Sequence, residues 1–336
     1  MSTKIRNSSF IAQTSPTDWS HLLPLKPTIA FDTYWKFAAE RQEIFFSKIK
    51  GKHRPWTKDP ILQEYKFTNA YRASDRVSQY LIKNVIYTGD QTIDEVFFRT
   101  ILFKIFNKIE TWEWLIDYLH EISLRKYSFR KYCRILDKML DSGEAIFSPA
   151  YIMPTPSRKK GVRKYRAFLK LLETMIRDDM PGKLSHLTRM QDGFELLKSY
   201  QGIGDFLAYQ YITDINYSNI TDFREMDFVI PGPGARDGIH KCFSDLGGLT
   251  EVEVIKRVAD IQELEFNRLG ISFKDLWGRR LQLIDCQNLF CEISKYSRLA
   301  HPDLQGINDR RRIKQRYTPN PDPINYFFPP KWEINY

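Results

Sequence analysis

The sequence predicts an all-α protein. Apolar residues recur at helical spacing in segment after segment, strand signals are few and short, and no internal repeat is present. With 336 residues, 42% of them hydrophobic, the chain can bury a large core or form two lobes that share a cleft.

The elements follow in order. Residues 1–28 are polar, carry Pro16, Pro24 and Pro27, and read as an N-terminal arm. Helical periodicity runs from about Phe31 to Ile49 and breaks between Gly51 and Pro60. A second helix is expected from Thr68 to Ile86: Ala70, Val77, Tyr80 and Leu81 suit one face, and Arg72, Asp75, Arg76 and Gln79 another. Thr92 with Glu95 three residues on resembles a capping box. It opens an apolar helix through Val96, Phe97, Ile101, Ile105 and Ile109. Segments 112–119 and 128–140 add two more helices. An irregular connector at 148–156 leads into a basic run at 158–166, then a helix to about Met180 that Pro181-Gly182 should stop. Further helices are expected near 234–245, 250–267 and 273–298. Residues 301–336 hold a second basic run, 309–316, and a Pro- and aromatic-rich tail.

Net charge of +10 favours a polyanionic partner, and aromatics at 14%, interleaved with Arg and Lys, suit unstacked bases as well as a core. Cys133, Cys242, Cys286 and Cys291 form no Cys-x-x-Cys pair, which fits a reduced, cytoplasmic protein. The N-terminus lacks the apolar run of a signal peptide, and no stretch approaches a membrane span. There is no Gly-x-x-x-x-Gly-Lys-Ser/Thr loop. The six histidines are dispersed, with no His-x-Glu, so no metal site is expected.

The stretch from Leu197 to Ala208 reads as helix, Gly202-Ile203-Gly204 turn, helix. Two glycines turn the chain tightly and leave backbone N–H groups bare beside a helix N-terminus, where they can hold a DNA phosphate without a side chain. Some twenty residues on, Asp227 and Glu225 supply carboxylates of the kind that stabilise a cationic sugar during base removal. A lone Asp there also suits a helix cap or a pair with Arg236. With Leu197 and Tyr200 at apolar positions and Ala208 closing a Gly-x-Gly-x-x-x-Ala pattern, the segment resembles the helix-hairpin-helix DNA glycosylase superfamily. That resemblance implies a two-lobed fold with the site in the cleft. Residues 61–224 would form the lobe containing the hairpin, and 29–60 with 225–300 the other. It also implies catalysis by Asp227, with Glu225 and Asp222 as alternatives, and backbone binding by Gly202, Ile203, Gly204 and Arg236. Asp205-Phe206 stands where bifunctional members carry a Schiff-base lysine, so a monofunctional enzyme is expected. Cys286 and Cys291 alone cannot supply the iron–sulfur loop of some members; no cluster and no cofactor are expected.

Three further clusters narrow the resemblance: Trp56-Thr-Lys-Asp-Pro60 followed by Phe67-Thr-Asn-Ala-Tyr-Arg72-x-x-Asp75-Arg76; Asp227-Phe-Val-x-Pro-Gly-Pro-Gly-Ala-Arg236-x-Gly238; and Asp285-Cys-Gln287-Asn288-Leu-Phe-Cys291-Glu292-x-x-Lys295. As a set, over about 31–300, they resemble the helical domain of phage thymine-hypermodification proteins. These are the alpha-glutamyl/putrescinyl thymine pyrophosphorylases and the helical part of 5-hydroxymethyluracil DNA kinases; anti-phage glycosylases of modified cytosine are akin. A base pocket of Asn69, Tyr71, Arg72, Arg76, Gln287, Asn288 and Lys295 is expected, although the same polar residues also suit a network that braces helices. The leading expectation is a glycosylase that excises a modified pyrimidine from double-stranded phage DNA. The alternatives are a transferase that replaces pyrophosphate on an activated 5-hydroxymethylpyrimidine with an amino acid or polyamine, and a non-catalytic DNA-binding module.

Overall fold

Local sequence sets most helix starts. In the computed structural model, which describes residues 19–149, 163–320 and 323–334, Thr28 accepts from the Ala30 N–H and opens α1 (Ile29–Ile49). Asp59 caps α2 (Pro60–Glu64), with Pro60 in the first turn where its missing N–H costs nothing. Next come α3 (Arg76–Tyr80), which runs on as a π-turn over Leu81–Ile86, α4 (Ile93–Phe106), α5 (Ile109–Leu119) and α6 (Phe129–Asp141). They are followed by α7 (Lys164–Arg177), α8 (Met180–Ser185), α9 (Met190–Lys198) and α10 (Asp205–Ile215). The last four are α11 (Pro233–Cys242), α12 (Glu251–Asp260), α13 (Gln262–Arg268) and α14 (Leu283–Ala300). A short antiparallel pair, β1 (Lys26–Pro27) with β2 (Phe243–Asp245), is the one sheet among the described residues. The all-α expectation holds.

Two long helices organise the core. α4 is buried from Glu95 to Phe106 beneath the π-turn, α7, α8 and α10. α14 lies among α1, α2, α11 and α12. The glycines of the second motif make the closest of these contacts possible. A Cβ on Gly234 would overlap the Cys291 sulfur, and one on Gly238 would overlap the Phe290 carbonyl, so bare backbone on α11 lets α14 approach. Asp237 beside them is buried and accepts from the Ser294 hydroxyl, from Lys241 at 3.4 Å and from the Asn308 N–H at 2.9 Å, which ties down the chain after α14. Residues 313–320 and 323–334 then pack against the body: Tyr317 N–H donates to the Glu64 carbonyl, and Ile313 and Phe328 are buried.

Several boundaries differ from expectation, each for a tertiary reason. Thr92 makes no side-chain cap, because Glu95 turns inward to accept from the Ser123 hydroxyl and the N–H groups of Leu124 and Arg125. Asn107, at φ +48, ends α4 and separates it from α5. Pro181 starts a helix instead of stopping one: Asp179 accepts from the Gly182 N–H and caps α8. The expected helix from 273 begins only at Leu283, after a turn with Trp277 at φ +51 and Gly278 at φ +94.

Candidate functional site

The expected helix from Thr68 is the most informative departure. Residues 67–71 are non-helical because side chains from elsewhere claim their backbone groups. Glu292 accepts from the Thr68 N–H (3.2 Å), Asp75 from the Asn69 N–H (2.9 Å) and Asp285 from the Arg72 N–H (2.7 Å). Arg41 of α1 donates to the carbonyls of Phe67 and Thr68. Asp285, Glu292 and Lys295 stand on one face of α14, with Asn288 between them, and the first two grip the strand-like segment; Lys295 answers Glu292 at 2.7 Å. Burial pushes Asp75 up to about 7 and Asp285 up to about 6.

This network occupies most of the expected base pocket. Asn69 spends both ends of its amide, accepting from Arg41 (3.0 Å) and donating to the Ser74 carbonyl (2.9 Å). Tyr71 is buried and donates to the Arg279 carbonyl at 2.7 Å. Arg72 is buried too: its guanidinium meets Asp214 (2.7 Å), Tyr217 (2.8 Å) and Gln210 (2.9 Å) on and just beyond α10. Lys104 of α4 reaches the other Asp214 oxygen at 3.0 Å. Burial alone would raise the Asp214 pKa, but Arg72 and Lys104 outweigh it and hold the carboxyl below its usual range. Arg76 opens α3, half-buried. Through these bonds Asn69, Tyr71 and Arg72 tie α1, α10 and the segment before α14 together.

The two carboxylates of the following loop part company. Asp227 is exposed, its nearest cation Arg224 at 3.9 Å, and no pair with Arg236 forms. Glu225 turns inward to Arg279 at 2.7 Å, and that guanidinium lies 3.7 Å from the Trp332 ring centroid. Asp222 is exposed, 3.7 Å from Lys331.

The Gly202–Gly204 segment does join two helices, α9 and α10. Gly202 takes φ +89, which favours glycine, while Gly204 at φ −92 precedes α10 with open space around it. Ile203 is buried and anchors the turn; Asp205 pairs with Lys198 at 2.8 Å. The first turn of α10 faces the first turn of α11. A Cβ on Gly232 would stand 3.4 Å from the Phe206 ring and 3.9 Å from Gln287 Nε2. Gln287 is buried, and among the described residues its amide has no hydrogen-bond partner. Arg236 is exposed on the same turn of α11, without an ion pair among the described residues. Two helix N-termini, an aromatic face, an uncommitted amide and a surface arginine thus converge. Spacing alone does not single out Phe206, although an aromatic two residues after the second glycine of the turn was the available signal.

Of the two basic runs, residues 158–162 lie outside the described residues, and Arg163 and Arg166 both engage Asp137, at 2.6 and 2.7 Å. Arg310, Arg311 and Arg312 are exposed. Among the described residues no group of His, Cys, Asp or Glu is placed to hold a metal, and no helix is long and apolar enough to cross a membrane.

Fold and site together define an all-α domain in which the N-terminal turns of α10, α11 and α14 come together. The chain belongs to the family of 5-hmdU DNA kinase helical domains, which matches residues 28–306. A 5-hmdU DNA kinase of Bacillus phage SP10 is 27% identical over 289 residues, covering 79% of this chain and 44% of that protein. The chain therefore spans less than half the length of this relative. No solved structure matches it. The match agrees with the narrower resemblance drawn from the three motifs. It overturns the leading expectation of a base-excising glycosylase, since the relative is a kinase, an enzyme that adds phosphate and does not remove a base.

Proposed function

We propose that this chain binds duplex DNA and serves group transfer at the 5-substituent of a modified pyrimidine, leaving the glycosidic bond intact. Membership of the 5-hmdU DNA kinase helical-domain family carries this reading. In it, the bare N–H groups around Gly204 and the Arg236 guanidinium hold backbone phosphates, which position the duplex without reading sequence. Phe206 offers a face to an unstacked base, and the Gln287 amide offers one donor and one acceptor to the base edge. In this reading the turn grips the backbone and the side chains behind it meet the base. With an activated 5-methylene group, an incoming amine would form the new C–N bond as pyrophosphate departs with the C–O bonding pair. With a hydroxymethyl group, the hydroxyl oxygen would form the new O–P bond as the P–O bond of a nucleoside triphosphate breaks, the nucleoside diphosphate leaving with that bonding pair and the hydroxyl proton passing to water.

The test uses two duplexes that differ at one position, thymine or 5-hydroxymethyluracil, with binding measured by anisotropy. Each duplex is then incubated with ATP, and a pyrophosphorylated duplex with amino acids or polyamines, before digestion and mass analysis of the nucleosides. Tighter binding of the modified duplex and a mass change in a base still attached to its sugar are expected. Equal affinity with unchanged nucleosides, or release of free base, would refute the reading.

A further inference from the structure

Away from α10 and α11, a cavity of about 260 Å³ opens beside the C-terminal end of α1, lined among others by Arg41, Lys48, Arg54, Trp56, Gln63 and Tyr317. Three of its lining residues are cations and none is a carboxylate. A single lysine in the last turn of a helix is ordinary, because it answers the helix dipole. Three cations brought together from α1 and the loop that follows it are not explained that way.

The walls are built rigidly. Arg41 is held by Nε to the Thr68 carbonyl (2.9 Å) and by Nη2 to Phe67 and Asn69 (3.2 and 3.0 Å), while Nη1 has no partner among the described residues. Trp56 is pinned by its indole N–H to the Lys52 carbonyl at 2.6 Å, and Tyr317 by its backbone to Glu64 at 2.9 Å. Lys48 and Arg54 lie over these two rings: Lys48 Nζ is 4.9 Å from the Trp56 centroid and 5.5 Å from that of Tyr317, and Arg54 is 5.4 and 4.9 Å away. Among the described residues neither cation has an ion-pair partner. Burial, with Arg41 and Arg54 nearby, pulls Lys48 down to about 8, and Asp75, whose own pKa lies near 7, offsets this only in part. Such a group lacks a counter-charge.

We propose that this pocket is an anion site that takes a phosphate group, held by Lys48, Arg54 and the free edge of Arg41. The ligand is either free, as pyrophosphate or a phosphoanhydride, or a phosphate of the DNA backbone. The site lies apart from the Gly204–Gln287 region and stands whether or not the group-transfer reading does.

The test titrates inorganic phosphate and pyrophosphate into the intact chain by calorimetry, alongside a duplex binding series in salt, for wild type, Lys48→Met and Arg54→Met. Saturable pyrophosphate binding that weakens about tenfold or more in each variant establishes a site for a free anion. No pyrophosphate heat, with duplex affinity reduced and the salt slope flattened by about one unit per variant, assigns the phosphate to DNA. Wild type without pyrophosphate heat and variants with unchanged duplex binding overturn the proposal. Because Lys48 is a half-buried charge without an ion-pair partner and Met can pack on the same two rings, Lys48→Met should melt no earlier than wild type, which separates lost binding from lost folding. If pyrophosphate binding persists while modified and plain DNA are treated alike, the group-transfer reading fails and this site remains.

Discussion

Changing Asp214 to Asn should cost about 3–5 kcal/mol of stability, the range for stripping one partner from a buried ion pair. Asp214 is fully buried and is the carboxylate shared by two buried cations, Arg72 at 2.7 Å and Lys104 at 3.0 Å. An amide keeps the shape but removes the charge, leaving both cations in a low-dielectric interior. Neither can turn to water, since Arg72 and Lys104 are each about as enclosed as core residues. With a denaturant slope near 3 kcal/mol/M in urea, the midpoint should fall by about 1 M or more. Lys104→Met supplies the control. It leaves Arg72 and Asp214 as a balanced pair, so it should cost far less, and adding it to Asp214→Asn should recover part of the loss. Urea unfolding followed by circular dichroism measures all three variants. A loss below about 1 kcal/mol for Asp214→Asn, or strict additivity of the double variant, would refute the argument that one charge holds these helices together.

Three further outcomes are expected. Gly204→Ala should weaken binding of plain and modified duplexes by similar factors with little change in melting temperature, because a Cβ there meets nothing within 4 Å and φ is −92; selective loss for modified DNA in an anisotropy assay would move the turn from the backbone to the base. Asp75 and Asp285 have folded pKa values near 7 and 6, above the ordinary 3.8, so the folded chain binds these protons more tightly than the unfolded one. Their contribution is full below about pH 4 and is lost as pH rises through 6 and 7, by at most about 1.4 kcal/mol per pH unit for each group. His301, lowered by burial, works the other way, so the test compares unfolding free energies from pH 5 to 8 in wild type and Asp75→Asn; an unchanged slope would count against the assignment. Finally, Arg310, Arg311 and Arg312 changed together to Gln should flatten the salt dependence of duplex binding by about one to three units, and parallel lines would leave them as ordinary surface.

The all-α class and the turn between α9 and α10 are readable from local sequence alone. Helical periodicity acts over a few residues, and Gly202 meets a local demand for positive φ, so both are legible without knowing what lies nearby; the capping box expected at Thr92 fails because Glu95 is claimed by a distant loop. The three motifs likewise pointed to the family, because a set of spaced residue types survives without any geometry. Which backbone groups those polar residues bind depends on the packing of distant segments. From sequence, Asp285 and Glu292 are polar members of the third motif with no partner specified. Their choice was made by the backbone N–H groups of Arg72 and Thr68, more than two hundred positions away. Those bonds also cancelled the helix that periodicity predicts from Thr68, since a backbone group claimed by a distant side chain cannot join a helical ladder. Phe206 and Gln287 came together for the same reason. The N-terminal turns of α10, α11 and α14 meet there, and nothing in the spacing of residues 206, 232 and 287 records it.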